Sequence, residues 1–159
     1  MNLKENSLEK NKSIANDLKI SLEEKNIFHL RDIIYDTNEV TLANIFEEYF
    51  EIKDILFMFK VIKKEKTAEI FAYLPQNMKQ QVINGLQDHE IKVMLDYMFT
   101  DDISEFLEEL PANIVKRVLN SASNQRRSEI NMILNFKENS AGSVMSTDYV
   151  ELDPEITAD

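Results

Sequence analysis

The stretch Asp101-Asp102-Ile103-Ser104-Glu105 has the greatest capacity for chemistry in this chain. Residues four apart on a helix share a face, so Asp101 and Glu105 would stand side by side, with Glu108 and Glu109 about one turn further on. Carboxylates crowded in this way repel, and a hard divalent cation relieves the repulsion. Mg2+ in particular keeps several waters and takes one or two carboxylates from a surface it touches. A purely structural use of the same residues is the commoner one. Acids in a first helical turn complement the macrodipole, and those beyond them form a solvated face. Spacing alone leaves both readings open.

Little else in the sequence resembles a reactive constellation. His29 and His89 are the only imidazoles and are not paired at a metal-binding spacing. His89 lies in Gln87-Asp88-His89-Glu90, an expected exposed helix start that Asp88 can cap. Cysteine is absent, which removes disulfides, thiol nucleophiles and Cys-type zinc sites. No nucleophile elbow, P-loop or dinucleotide fingerprint occurs, so an enzyme is not expected. The methionines, Met58, Met78, Met94 and Met98 among them, fall at core-facing spacing and read as gap-filling side chains.

Charge narrows the partners. The chain carries 18 basic and 29 acidic residues, a net charge of −11. Such a surface disfavours nucleic acid and anionic membranes and would attract cations or a basic partner. The excess is steepest after residue 100, where 5 bases face 12 acids and no base follows Lys137. The start, Met1-Asn2-Leu3-Lys4-Glu5-Asn6, lacks the apolar core of a signal peptide. The longest apolar run, Ile55-Leu56-Phe57-Met58-Phe59, is far too short to span a bilayer. No direct membrane insertion by this chain is expected.

The elements that would position the carboxylates are helical. With 2 glycines and 3 prolines in 159 residues, the chain lacks the turn-formers of a sandwich or barrel. Periodicity near 3.6 predicts an all-α array of about ten short helices over 7–136. Connections of one to three residues from 67 onward force neighbours to pack side by side. Ala68-Glu69-Ile70-Phe71-Ala72-Tyr73-Leu74-Pro75 echoes Ser104-Glu105-Phe106-Leu107-Glu108-Glu109-Leu110-Pro111, 36 residues on. A weaker copy, Ala43 to Phe50, precedes the first by 25. Stacked short helices of this kind build an irregular α-solenoid; a compact bundle is the alternative. Ile70, Phe71, Leu74, Phe106, Leu107 and Leu110 are the expected core of the echo. Beyond Phe136 the character changes: a polar Lys137-to-Ser143 stretch leads into Tyr149-Val150-Glu151-Leu152, which alternates like a short strand. The expected division is a helical domain over 1–136, then a linker and the first residues of a truncated second domain over 137–159.

Glu138-Asn139-Ser140-Ala141-Gly142-Ser143-Val144-Met145-Ser146-Thr147-Asp148-Tyr149-Val150 resembles the junction segment of the MgtE family of magnesium transporters. There an acidic-x-Ala-Gly-x-Met-Thr-x-x-Tyr/Phe-Val stretch joins a cytoplasmic helical N domain to a pair of CBS domains. Ser146 departs from the usual Thr. The resemblance spans roughly 27–159, with 1–26 matching only loosely. It implies a right-handed superhelix on the cytoplasmic face of the membrane, in a homodimeric channel whose transmembrane part follows the CBS pair. It also implies a Mg2+-sensing role, in which ions shared between the N and CBS domains close the pore at high internal Mg2+. Carried over residue by residue, the ligand positions fall on Glu69, Asp101, Asp102 and Glu105, with a junction carbonyl near Gly142 or Ser143. Glu105 stands where the family often has Asp. The competing expectation is a protein-binding α-solenoid resembling a flagellar motor switch subunit, which would not run into a CBS-type strand.

Overall fold

The computed structural model describes residues 3–108 and 110–135, with side chains from residue 7. Ten helices follow one another: α1 (Leu3–Glu23), α2 (Ile27–Asp36), α3 (Glu39–Tyr49), α4 (Ile52–Val61), α5 (Lys64–Ala72), α6 (Gln76–Gly85), α7 (Asp88–Asp96), α8 (Thr100–Glu108), α9 (Ala112–Ser121) and α10 (Asn124–Leu134). No strand occurs among the described residues. The β-like tail expected over 137–159, with Gly142 and Ser143, lies outside them.

The spacing is more even than the two echoes suggest. From Ile52 the helices begin at 52, 64, 76, 88, 100, 112 and 124, twelve residues apart each time. An offset of 36 is therefore three such units, and 25 is two units plus one extra residue before Ile52. The register continues into the core. Ile34, Phe46, Met58, Ile70, Val82, Met94, Phe106, Val118 and Ile130 lie twelve apart, and none is more than 2% exposed. The six echo residues expected in the core are all buried.

A helix of nine or ten residues is too short to hold itself together in water, so its stability comes from the neighbours it packs on. Each of the odd-numbered helices packs on the next odd one, from α1 through α3, α5 and α7 to α9, while α4 packs on α6 and α8 on α10. Across the two rows, Phe71 of α5 meets Phe106 of α8 edge-to-face, with centroids 5.3 Å apart. Gln76 at the start of α6 donates to the Phe106 carbonyl at 2.8 Å.

Helix ends follow local rules with two departures. Asn26, Asn38 and Ser123 accept the N–H of His29, Thr41 and Arg126, as side-chain caps do. Pro75 and Pro111 immediately precede α6 and α9, as their position in the echo predicts. Asp88 does not cap α7. It is that helix's first residue and accepts Arg117 Nε at 2.9 Å, while Glu90 reaches back to the Gln87 N–H at 2.9 Å. The second departure ends α1. Asn26 N–H bonds Ser21 O and Lys25 N–H bonds Leu22 O, a Schellman pattern with Lys25 at φ 54°, where glycine would be usual.

Truncating Phe106 to Ala removes a ring from the register and from its contact with Phe71. Urea denaturation should show a loss of about 3–5 kcal/mol. A loss under about 1 kcal/mol would mean that this face is not the core of the array. Arg126→Lys keeps the charge but not the planar fork that donates to Leu95 O and Met98 O. It should lower stability by about 1–3 kcal/mol, against near-neutrality for the exposed Lys116→Ala, because carbonyls lose their donors.

Candidate functional site

The first turn of α8 is set from below. Thr100 is wholly buried; its Oγ1 accepts Arg126 Nη1 at 2.8 Å, and its carbonyl accepts Ser104 Oγ at 2.9 Å. The same guanidinium donates to Leu95 O at 3.1 Å and Met98 O at 2.5 Å, closing the end of α7, and to Glu129 at 3.1 Å. Arg126 thus ties α10 to the α7–α8 corner. With Thr100 pinned, Asp101 and Asp102 fall in the first helical turn and are half-buried, while Glu105 and Glu108 are exposed. Asp101 Oδ1 is shielded from solvent and accepts no hydrogen bond. A carboxylate oxygen in that state gains more from an approaching cation than one already satisfied.

Asp102 turns toward a different feature. With Glu69 of α5 and Glu39 at the start of α3 it lines a groove of about 290 Å³ between α5 and the α7–α8 corner. Three aromatic side chains stand around it: Tyr73, Tyr97 and Phe99, 58%, 49% and 60% exposed. Tyr73 and Tyr97 follow the last residues of α5 and α7, and the residue after each, Leu74 or Met98, is buried. Glu39 pairs with Lys66, whose ammonium also donates to Thr37 O at 3.2 Å. The hydrogen bond from Lys66 holds the Glu39 carboxyl below its ordinary range, aided by a backbone hydrogen bond and opposed by partial burial.

The structure therefore brings Glu69 and Asp102 to one groove. Asp101 and Glu105 share α8 with Asp102 but do not line it. Gly142 and Ser143 lie outside the described residues. Among the described residues no three carboxylate or imidazole groups converge closely enough to hold a metal ion by themselves. Sequence reasoning missed Glu39 and the aromatic rim. A signal was present: Tyr49, Tyr73 and Tyr97 recur every 24 residues, two twelve-residue units apart. Both histidines are exposed.

These features define a class, an all-helical solenoid domain that presents an acidic surface at the turns between its helices. The chain belongs to the MgtE intracellular N domain family, whose sequence profile matches residues 37–139. The match stops short of Ala141-Gly142, where the sequence resemblance was strongest, and begins after α2. The fold is similar to "Crystal structure of the soluble part of a magnesium transporter", with a TM-score of 0.79 and 17% identity over 88% of this chain and 55% of that one. It is also similar to the "cytosolic domain of the Mg2+ channel MgtE in complex with ATP", with a TM-score of 0.73 and 21% identity over 86% of this chain and 56% of that one. At these identities the likeness is one of fold. The chain spans little more than half the length of either structure. No curated protein matches it. Among the described residues no helix is long and apolar enough to cross a membrane.

The Glu39–Lys66 pair carries a pH dependence of known sign. A carboxyl whose folded-state pKa is depressed stabilises the fold at neutral pH, and that contribution is lost as pH falls through the lowered value. The stability advantage of wild type over Glu39→Gln should therefore be present at pH 7 and shrink below the ordinary carboxylate range. Parallel unfolding curves across pH check this; a gap independent of pH would mean that the pair does not hold in solution.

Proposed function

We propose that this chain is the Mg2+-sensing regulatory domain of a magnesium transporter, acting on the cytoplasmic face of the membrane and not as an enzyme. The observation that carries the reading is the start of α8 in a member of the MgtE N domain family. There Asp101, Asp102 and Glu105 crowd within five residues, and one Asp101 oxygen lacks a hydrogen-bond donor. The donor set is entirely hard oxygen, which suits Mg2+ better than a softer metal. Glu69 and Asp102, on the groove, extend the acidic surface toward α5. A carbonyl near Gly142 or Ser143 is a further proposed ligand.

An ion favours only the arrangement that binds it better. Carboxylates that stand two at a time on one surface hold Mg2+ weakly, so the chain alone should bind it at about millimolar concentration, as low-affinity oxygen sites do. Tighter binding would require acids on a facing surface. We place that surface on a CBS pair following residue 136, in a homodimer whose transmembrane part lies further on. At low Mg2+ the facing carboxylates repel and the domains part; at high Mg2+ the ion bridges them and the pore closes. The chain's own contribution is to hold Asp101 and Asp102 in register through Thr100 and Arg126.

The test is made in the full-length transporter. Asp101→Asn with Glu105→Gln keeps side-chain shape and removes two charges. Inhibition of current by internal Mg2+ should shift to higher concentration by several-fold, and Mg2+ protection of the junction from protease should shift with it. Inhibition and protection curves that superimpose on wild type would return these acids to a capped, solvated helix start.

A further inference from the structure

We propose that the groove between α5 and the α7–α8 corner is a docking site for a basic peptide segment, with an arginine side chain entering among Tyr73, Tyr97 and Phe99 to meet Glu69. Three large aromatics around one opening, each about half exposed or more, are not explained by packing. Their chain neighbours Leu74, Met98 and Thr100 supply the buried positions at these corners. Exposed apolar surface gathered at a concave feature marks an interaction site.

The chemistry of the rim selects the occupant. Aromatic faces are negative and attract cations, and the planar guanidinium of arginine stacks on them better than a compact ammonium does. Glu39, Glu69 and Asp102 stand on the wall; Glu39 is paired with Lys66, and Glu69 is the carboxylate that would meet an incoming cation. The groove therefore complements positive charge. Ala68 and Ala72 also line it, short side chains that leave room for the methylene stem of a long residue. A hydrated Mg2+ ion would use the carboxylates and leave the rings without a role. The site shares Glu69 and Asp102 with the proposed ion surface, but it rests on the aromatic rim and stands whether or not that reading does.

The experiment uses the 159-residue chain and a short acetylated Gly/Ser peptide carrying two arginines, with the neutral citrulline peptide as its control. Binding is followed by the aromatic NMR signals of Tyr73, Tyr97 and Phe99. The arginine peptide should shift these signals saturably, and the citrulline peptide should not. Tyr97→Ala with Phe99→Ala should weaken binding about tenfold, as loss of two cation–π partners predicts, without change in circular dichroism. Glu69→Gln should weaken it several-fold. Equal shifts from both peptides, or full affinity in the double aromatic variant, would overturn the proposal. So would ring shifts produced by Mg2+ alone and not by the arginine peptide. Retained Mg2+ inhibition in a full-length Tyr97→Ala, Phe99→Ala protein would separate this site from the proposed ion surface.

Discussion

The carbonyl oxygens at the end of each short helix must find donors, and the rest of this structure is arranged around that need. A helix leaves four carbonyls unpaired at its C-terminus. Glycine in the left-handed conformation is the common solution, yet the chain has only two glycines, and the one positive φ among the described residues belongs to Lys25. Long cationic side chains take its place. Lys66 of α5 reaches Thr37 O just after α2; Arg117 of α9 reaches Ile83 O and Leu86 O at the end of α6; Arg126 of α10 reaches Leu95 O and Met98 O at the end of α7. Each spans three helices. A side chain from one unit thus closes the end of another about thirty residues earlier, and the array is stitched by polar groups as well as by its apolar register.

This arrangement decides where the charge goes. After residue 100 the chain has five bases, and Arg117, Arg126 and Arg127 are committed to backbone carbonyls. Arg127 closes its own neighbour, bonding Leu119 O at 2.6 Å and Asn120 O at 3.1 Å. Arg117 and Arg126 divide their donors between backbone carbonyls and the carboxylates of Asp88 and Glu129, while Glu105 and Glu108 of α8 stay exposed. Drawing arginines to helix ends leaves fewer of them to offset the excess of acids elsewhere on the surface. That same property gives the surface its attraction for cations and basic segments.

Helix periodicity, scarcity of glycine and the Leu-Pro echo were enough to read an all-α array from the sequence, and Ile70, Phe71 and Phe106 were legible as core. The twelve-residue register was not, because its positions share burial and not identity: Ile34, Phe46, Met58 and Val82 are equivalent in the fold and different in type. The arginine closures were also hidden, since a basic residue on a helix reads as solvent-facing until the carbonyls beneath it are located. In the candidate site, the difference between Asp101 and Asp102 is the limit of sequence reasoning. Successive helical residues point about 100° apart, so a pair that reads as one acidic step divides, one carboxylate lining the groove and the other holding an oxygen away from solvent.

The position of α8 gives that division its consequence. Its first turn is joined through Thr100 and Arg126 to α10, the last described helix, so the acids and the C-terminal end of the array share one hydrogen-bonded joint. A ligand at the surface of α8 biases α10 only if it binds two arrangements of that joint unequally. Arg126 holds the arrangement seen here. Its donors are divided among Leu95, Met98, Thr100 and Glu129, and moving α8 against α7 cannot preserve all of them at once. Partial loss would leave carbonyls at the end of α7 without these donors, so the joint resists displacement of α8. Asp101 and Asp102 thus stand beside one end of a hydrogen-bonded joint whose other end is α10.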